Sequence, residues 1–177
     1  MKKEEISTPN YGKSAGAVVS LFSNRAATAS SATGARLLRR ARSISAERLT
    51  ALLNEIQEKL DEGFAGAAEK LIKETLANFS YTPEAEAKLR QLLSYSFETS
   101  GDYKESLKAV EKYDDEEILA ELELDTAVCV LVQLAISYNN TNDYPKAIAL
   151  LNNILEVAKE ENLNTRLGEI YRALARV

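Results

Sequence analysis

The chain has 177 residues, 45% hydrophobic and 28% charged, with seven Gly and three Pro; this suits a globular, helix-rich protein and argues against regular all-β structure. The net charge of −5 is uneven: residues 1–48 carry nine Lys/Arg and three Glu, whereas residues 49–177 carry thirteen Lys/Arg against twenty-four Asp/Glu, which disfavours a long basic nucleic-acid groove in the body. There is no His and one cysteine, Cys129, so the commonest general base, the usual triads, most zinc sites and any internal disulfide are excluded.

Residues 1–44 read as a mobile Ser/Ala-rich basic arm without a sustained apolar period. Its apolar run "GAVVSLF" is too short to span a membrane, and the polar stretch behind it is a poor cleavage site. A cytoplasmic protein is expected. Arg36, Arg39, Arg40 and Arg42 are available to an acidic protein surface, anionic lipid or nucleic acid, with a solubilising tail as the plainer reading. "RRARS", ending at Ser43, also resembles a basophilic kinase site.

Order is expected from Ser45, an N-cap with Glu47 in the first turn. Leu49, Leu52, Leu53, Ile56 and Leu60 then fall on one helical stripe that Gly63 ends. A second helix carries Ala68, Leu71, Ile72, Leu76 and Phe79, so residues 45–80 form an antiparallel hairpin, a degenerate or capping unit. Thr82 and Pro83 open the next element, residues 83–113, whose first helix buries Leu89, Leu92, Leu93 and Phe97. Gly101 turns the chain, and Asp102 with Glu105 makes a capping box for the helix through Leu107 and Val110 to Tyr113. Residues 114–125 form an acidic helical link, with Asp125 as a second cap. Residues 126–162 hold a helix apolar nearly all round from Ala127 to Ile136, which must lie inside a stack, and its partner. Residues 165–177 begin one more helix.

Gly101-Asp102-Tyr103 returns as Asn142-Asp143-Tyr144, 41 residues later. In that register Leu93 meets Leu134, Ser94 meets Ala135, Phe97 meets Tyr138, Ser106 meets Ala147 and Val110 meets Leu151. The turn wants a left-handed residue, best supplied by Gly and then Asn, and Asp caps the helix behind it. Small residues at 94 and 106, and at 135 and 147, allow close helix crossing, while Tyr103 and Tyr144 are expected to fill a wedge beside it.

This large-small-aromatic-turn-small pattern, carried by "LLSYSFETSGDYKES" and "QLAISYNNTNDYPKA", resembles the tetratricopeptide repeat (TPR) family. The likeness covers residues 86–177 and, weakly, 46–80, at a period longer than the family's usual value of about 34. It implies an all-α, right-handed α-solenoid of helix pairs. Tyr113 stands where the family usually has Ala, so looser or shifted packing is expected after the first full repeat, with residues 114–125 as its reflection. The pattern stops inside a unit, which suggests the N-terminal part of a larger regulatory or assembly protein, or a homo-oligomer through the open C-terminal helix.

The resemblance also implies a concave groove lined by the first helix of each pair. Its candidate residues are Lys88, Gln91, Tyr95 and Glu98, then Cys129, Val132, Ile136 and Asn139, with Arg172 from the last helix. Gln91 and Asn139 would hold a peptide backbone, Val132 and Ile136 a floor, and Tyr95 an aromatic contact; packing against neighbouring helices is the alternative for Val132 and Ile136. Members that grip heat-shock chaperone tails use Lys, Asn and Arg where this chain has Gln91, Tyr95, Gln133, Glu169 and Ala173, so no such carboxylate clamp is expected. Cys129 reads as a buried inert thiol, and the run Asp114–Glu117 lacks the spacing of a calcium loop. The expectation is a non-enzymatic, cofactor-free and metal-free scaffold for a protein or peptide. The alternative has the basic arm docking on nucleic acid or anionic membrane while the helices self-assemble.

Overall fold

The computed structural model describes residues 42–177; of the arm, residues 1–41, with Arg36, Arg39 and Arg40, lie outside them. The described chain begins with β1 (Arg42–Ser43), α1 (Ala46–Asp61), α2 (Ala65–Asn78) and β2 (Phe79–Ser80). It continues through α3 (Pro83–Thr99), α4 (Tyr103–Val110), a 3-10 turn (Glu111–Asp114) and α5 (Glu116–Leu119). The last helices are α6 (Leu124–Asn140), α7 (Tyr144–Glu160) and α8 (Asn164–Leu174). β1 and β2 pair in parallel, Arg42 opposite Phe79 and Ser43 opposite Ser80. That pairing takes Phe79 out of the helical stripe expected of it, and α2 stops one residue earlier.

The short turns fold each helix back on the one before it. α2 packs on both α1 and α3, α4 on both α3 and α6, and α7 on both α6 and α8. Meanwhile α1, α3, α6 and α8 touch in succession. Apart from that two-residue strand pair, the described residues are helical, with a front row of four helices backed by α2, α4 and α7. α6 buries eleven residues on all its sides, as its apolar sequence requires.

Local chemistry repeats at the turns. Gly63, Gly101 and Asn142 all have positive φ, at 83°, 79° and 67°. Each is followed by a backbone N–H that reaches back to the last helical turn: Phe64 to Lys59, Asp102 to Phe97 and Asp143 to Tyr138. Asp102 accepts from the Glu105 N–H at 3.3 Å and Asp143 from the Lys146 N–H at 3.4 Å. The reciprocal half of the expected capping box does not form. The Asp102 N–H is already bonded to Phe97, and the Glu105 carboxylate pairs with Lys108. Ser45 and Thr82 cap α1 and α3 as their positions suggest, accepting from Arg48 and Ala85.

The crossings also correspond. Ser94 and Ser106 are fully buried with their hydroxyls 2.9 Å apart, and Ser137 of α6 closes a ring at 3.2 and 3.0 Å. At the matching crossing Ala135 and Ala147 are fully buried. The equivalent of Ser137 one unit earlier, Ser96, donates to the Ala65 carbonyl of α2 at 2.8 Å, so that position docks a front helix on the preceding pair both times.

Two expectations need correction and a third is decided between its alternatives. Tyr103 and Tyr144 fill no wedge; they sit at the first residue of α4 and α7 and are 44% and 46% exposed, alike in position but facing solvent. At Tyr113 the packing is shifted, not loosened: the ring is 1% exposed, and the helix gives way at Glu111 to the 3-10 turn that seats it and leads into the link. Asp125 caps nothing. α6 begins at Leu124, which places Asp125 inside the first turn, where Arg166 claims its carboxylate. The real cap in the link is Asp115, which accepts from the Glu117 N–H at 2.8 Å and starts α5.

Candidate binding groove

The front faces of α1, α3, α6 and α8 enclose one groove of 670 Å³. This lies within the range of about 300–1,000 Å³ typical of ligand sites. Val132 and Ile136 of α6 form its floor, with Leu53 of α1 and Leu92 of α3 beside them. Both α6 residues also pack on the central core, so they serve as structure and as floor together. The uncharged polar lining comes from Asn54, Gln57, Gln91, Thr126 and Gln133; the amides of Asn54, Gln57 and Gln91 carry both donors and acceptors suited to a peptide backbone, whereas that of Gln133 is given to Glu98.

Among the groove candidates, Lys88, Gln91, Val132, Ile136 and Arg172 line this space. Tyr95, Glu98 and Asn139 are not part of its lining. Tyr95 is 40% exposed, and the Asn139 Oδ1 is buried without a hydrogen-bond partner among the described residues. Glu98 instead holds the wall together. It accepts from Gln133 of α6 at 3.0 Å and from Arg176, just beyond α8, at 2.8 Å.

Arg166 is the residue that sequence inspection missed. Its guanidinium binds both Asp125 oxygens at 2.7 and 2.6 Å and reaches Glu169 at 3.2 and 3.3 Å. This planar fork ties α8 to α6. Hydrogen bonding from Arg166 holds the Asp125 carboxyl below its usual range, and that partner raises Arg166 in turn. The available signal was an acid–base pair 41 residues apart, equal to the repeat offset.

Cys129 is half-buried and faces the groove, not the interior. Burial pushes its thiol up to about 11, so it is neutral near pH 7 and a poor nucleophile. Among the described residues no group of three His, Cys, Asp or Glu could hold a metal ion, and no helix is long and apolar enough to cross a membrane.

Comparison of the chain with protein-family models, curated proteins and solved structures gives no match.

Proposed function

We propose that this chain is a protein- or peptide-binding scaffold, a short TPR-like α-solenoid whose front row holds an extended segment of its partner. One observation carries the reading. Four helices far apart in sequence turn the same face to a single groove that has an apolar floor and amide-bearing walls. The repeated turn bonds and the three-fold recurrence of back helices between front helices support the solenoid. No catalytic role is assigned to the groove, because its thiol is unactivated and its lining acids are held in ion pairs.

Selection of a random peptide library against the protein tests this. Peptides should be enriched, and placing a long cation on the floor with Ile136→Arg should weaken them by about tenfold or more. Enrichment of no peptide, or peptides indifferent to Ile136→Arg, would contradict the reading.

A further inference from the structure

The charges around the groove are not equally committed. Both acids of the lining, Asp125 and Glu169, are held by Arg166. Arg176 is engaged by Glu98. Two lining cations remain. Among the described residues Lys88 forms no ion pair, though its charge is felt by Asp125 and Cys129. Among the same residues Arg172 makes only a hydrogen bond to the Gly168 carbonyl of its own helix, at 3.3 Å. Both are exposed. Among the described residues the groove thus offers two uncommitted cations and no uncommitted carboxylate, within a body where acids outnumber bases twenty-four to thirteen.

Resting on the groove reading above, we infer that the partner is an acidic peptide, with carboxylates that meet Lys88 and Arg172 flanking an apolar side chain laid on Val132 and Ile136. Charge complementarity selects this occupant over others. The chain's own residues 1–41 carry seven Lys/Arg and two Glu, the wrong sign for these cations. A nucleic acid strand carries a charge on every phosphate and would continue into the acidic surface beyond the two cations. A peptide with two or three carboxylates ends where the positive charge ends. Its uncharged backbone is matched by Gln91, Asn54 and Gln57. Placing an acid against Lys88 or Arg172 disrupts no existing ion pair, so the attraction is not offset by a lost internal contact.

Cys129, the only cysteine and part of the lining, makes a built-in reporter. Three pools of fluorescein-labelled peptides, about nine residues or roughly 30 Å extended, share a central Leu or Ile. They differ in flanks of Asp/Glu, Asn/Gln or Lys/Arg. Binding is read by fluorescence anisotropy at several salt concentrations, and occupancy by the slow rate at which iodoacetamide alkylates Cys129 at about pH 9, where roughly 1% of so weakly acidic a thiol is thiolate. The acidic pool should bind most tightly and slow the labelling. Lys88→Glu with Arg172→Glu should weaken it by about tenfold or more and move preference to the basic pool. The neutral pair Lys88→Gln with Arg172→Gln should weaken it without that reversal, and circular dichroism should show both variants folded.

If the neutral or basic pool binds as well and protects Cys129, the groove reading stands and the acidic partner is overturned. If no pool protects Cys129, the groove reading fails and takes the proposal with it. A single-stranded oligonucleotide that protects Cys129 better than any peptide would replace carboxylate by phosphate recognition and overturn the proposal.

Discussion

The helix pairs α3–α4 and α6–α7 enter through the same turn and then diverge. Up to Val110 and Leu151 they correspond residue by residue: positive φ, an Asp cap, an exposed Tyr and a small buried residue at the crossing. Beyond that point α7 continues to Glu160, burying Ile154, Val157 and Ala158. α4 stops, and the positions matching Leu155 to Ala158 are Asp114, Asp115, Glu116 and Glu117. Acids at the positions of the buried Val157 and Ala158 cannot occupy an apolar seam, and Asp115 draws the backbone into a new cap. The comparison shows that the turn is written locally, whereas the length of the helix behind it is set by what its last two turns must bury.

The largest effect is expected at Tyr113, which takes the place of Ile154 and seats the shortened unit. Tyr113→Ala should leave a cavity and cost about 3–5 kcal/mol in denaturant unfolding. Tyr113→Phe should cost nothing, since the phenol oxygen is buried without a hydrogen-bond partner among the described residues and its ionisation is pushed up by burial. Equal losses for the two variants would mean that the hydroxyl, not the ring, holds the unit.

The two crossings give the next contrast. Ala147→Leu should overpack a fully buried contact and cost about 1–3 kcal/mol; unchanged thermal unfolding would deny that the pair crosses there. At the serine crossing, any single Ser→Ala among Ser94, Ser106 and Ser137 should cost about 1 kcal/mol by leaving the ring incomplete. Replacing all three should cost less than the sum of the single changes, because an apolar crossing already works one unit later. Strict additivity would show that the ring is not a unit.

The smallest effect concerns acid. Burial alone would raise Glu86, but hydrogen bonds from Lys112 and Arg90 outweigh it and leave it lowered; Asp125 is lowered by Arg166. Groups depressed on folding contribute stability that is complete above the ordinary carboxylate range, near pH 4, and is lost as pH falls through the folded values. Because the Asp125 side chain is 50% exposed, its pair should contribute at most about 1 kcal/mol. Asp125→Asn should remove part of the destabilisation seen between about pH 4 and 2; a variant with the parent's full acid sensitivity would place that sensitivity elsewhere.

How much could be read beforehand follows the same division. Helix starts at Ser45 and Thr82, the reversals at Gly63, Gly101 and Asn142, and the central place of α6 are stated by neighbouring residues and by apolar periodicity, and they were legible. Tyr103 and Tyr144 were matched correctly to each other yet given the wrong surroundings, because a shared motif fixes equivalence and not exposure. Within the groove, the register placed Lys88, Gln91, Val132, Ile136 and Arg172. It could not foresee that Glu98 would be drawn into the wall by Gln133 and Arg176, or that Arg166 would take Asp125 from its capping role. Those outcomes depend on contacts between units, which no single stretch of sequence contains. The contribution of α1 to the lining was hidden for the same reason.

The most direct test of the groove as the working surface is an isotope-edited NMR titration with the tightest peptide recovered from selection. Shifts should concentrate at Lys88, Gln91, Cys129, Val132, Ile136 and Arg172, along the front row. Shifts concentrated instead at Tyr103, Tyr144 and Ile148 of the back helices, with the front row silent, would contradict the account.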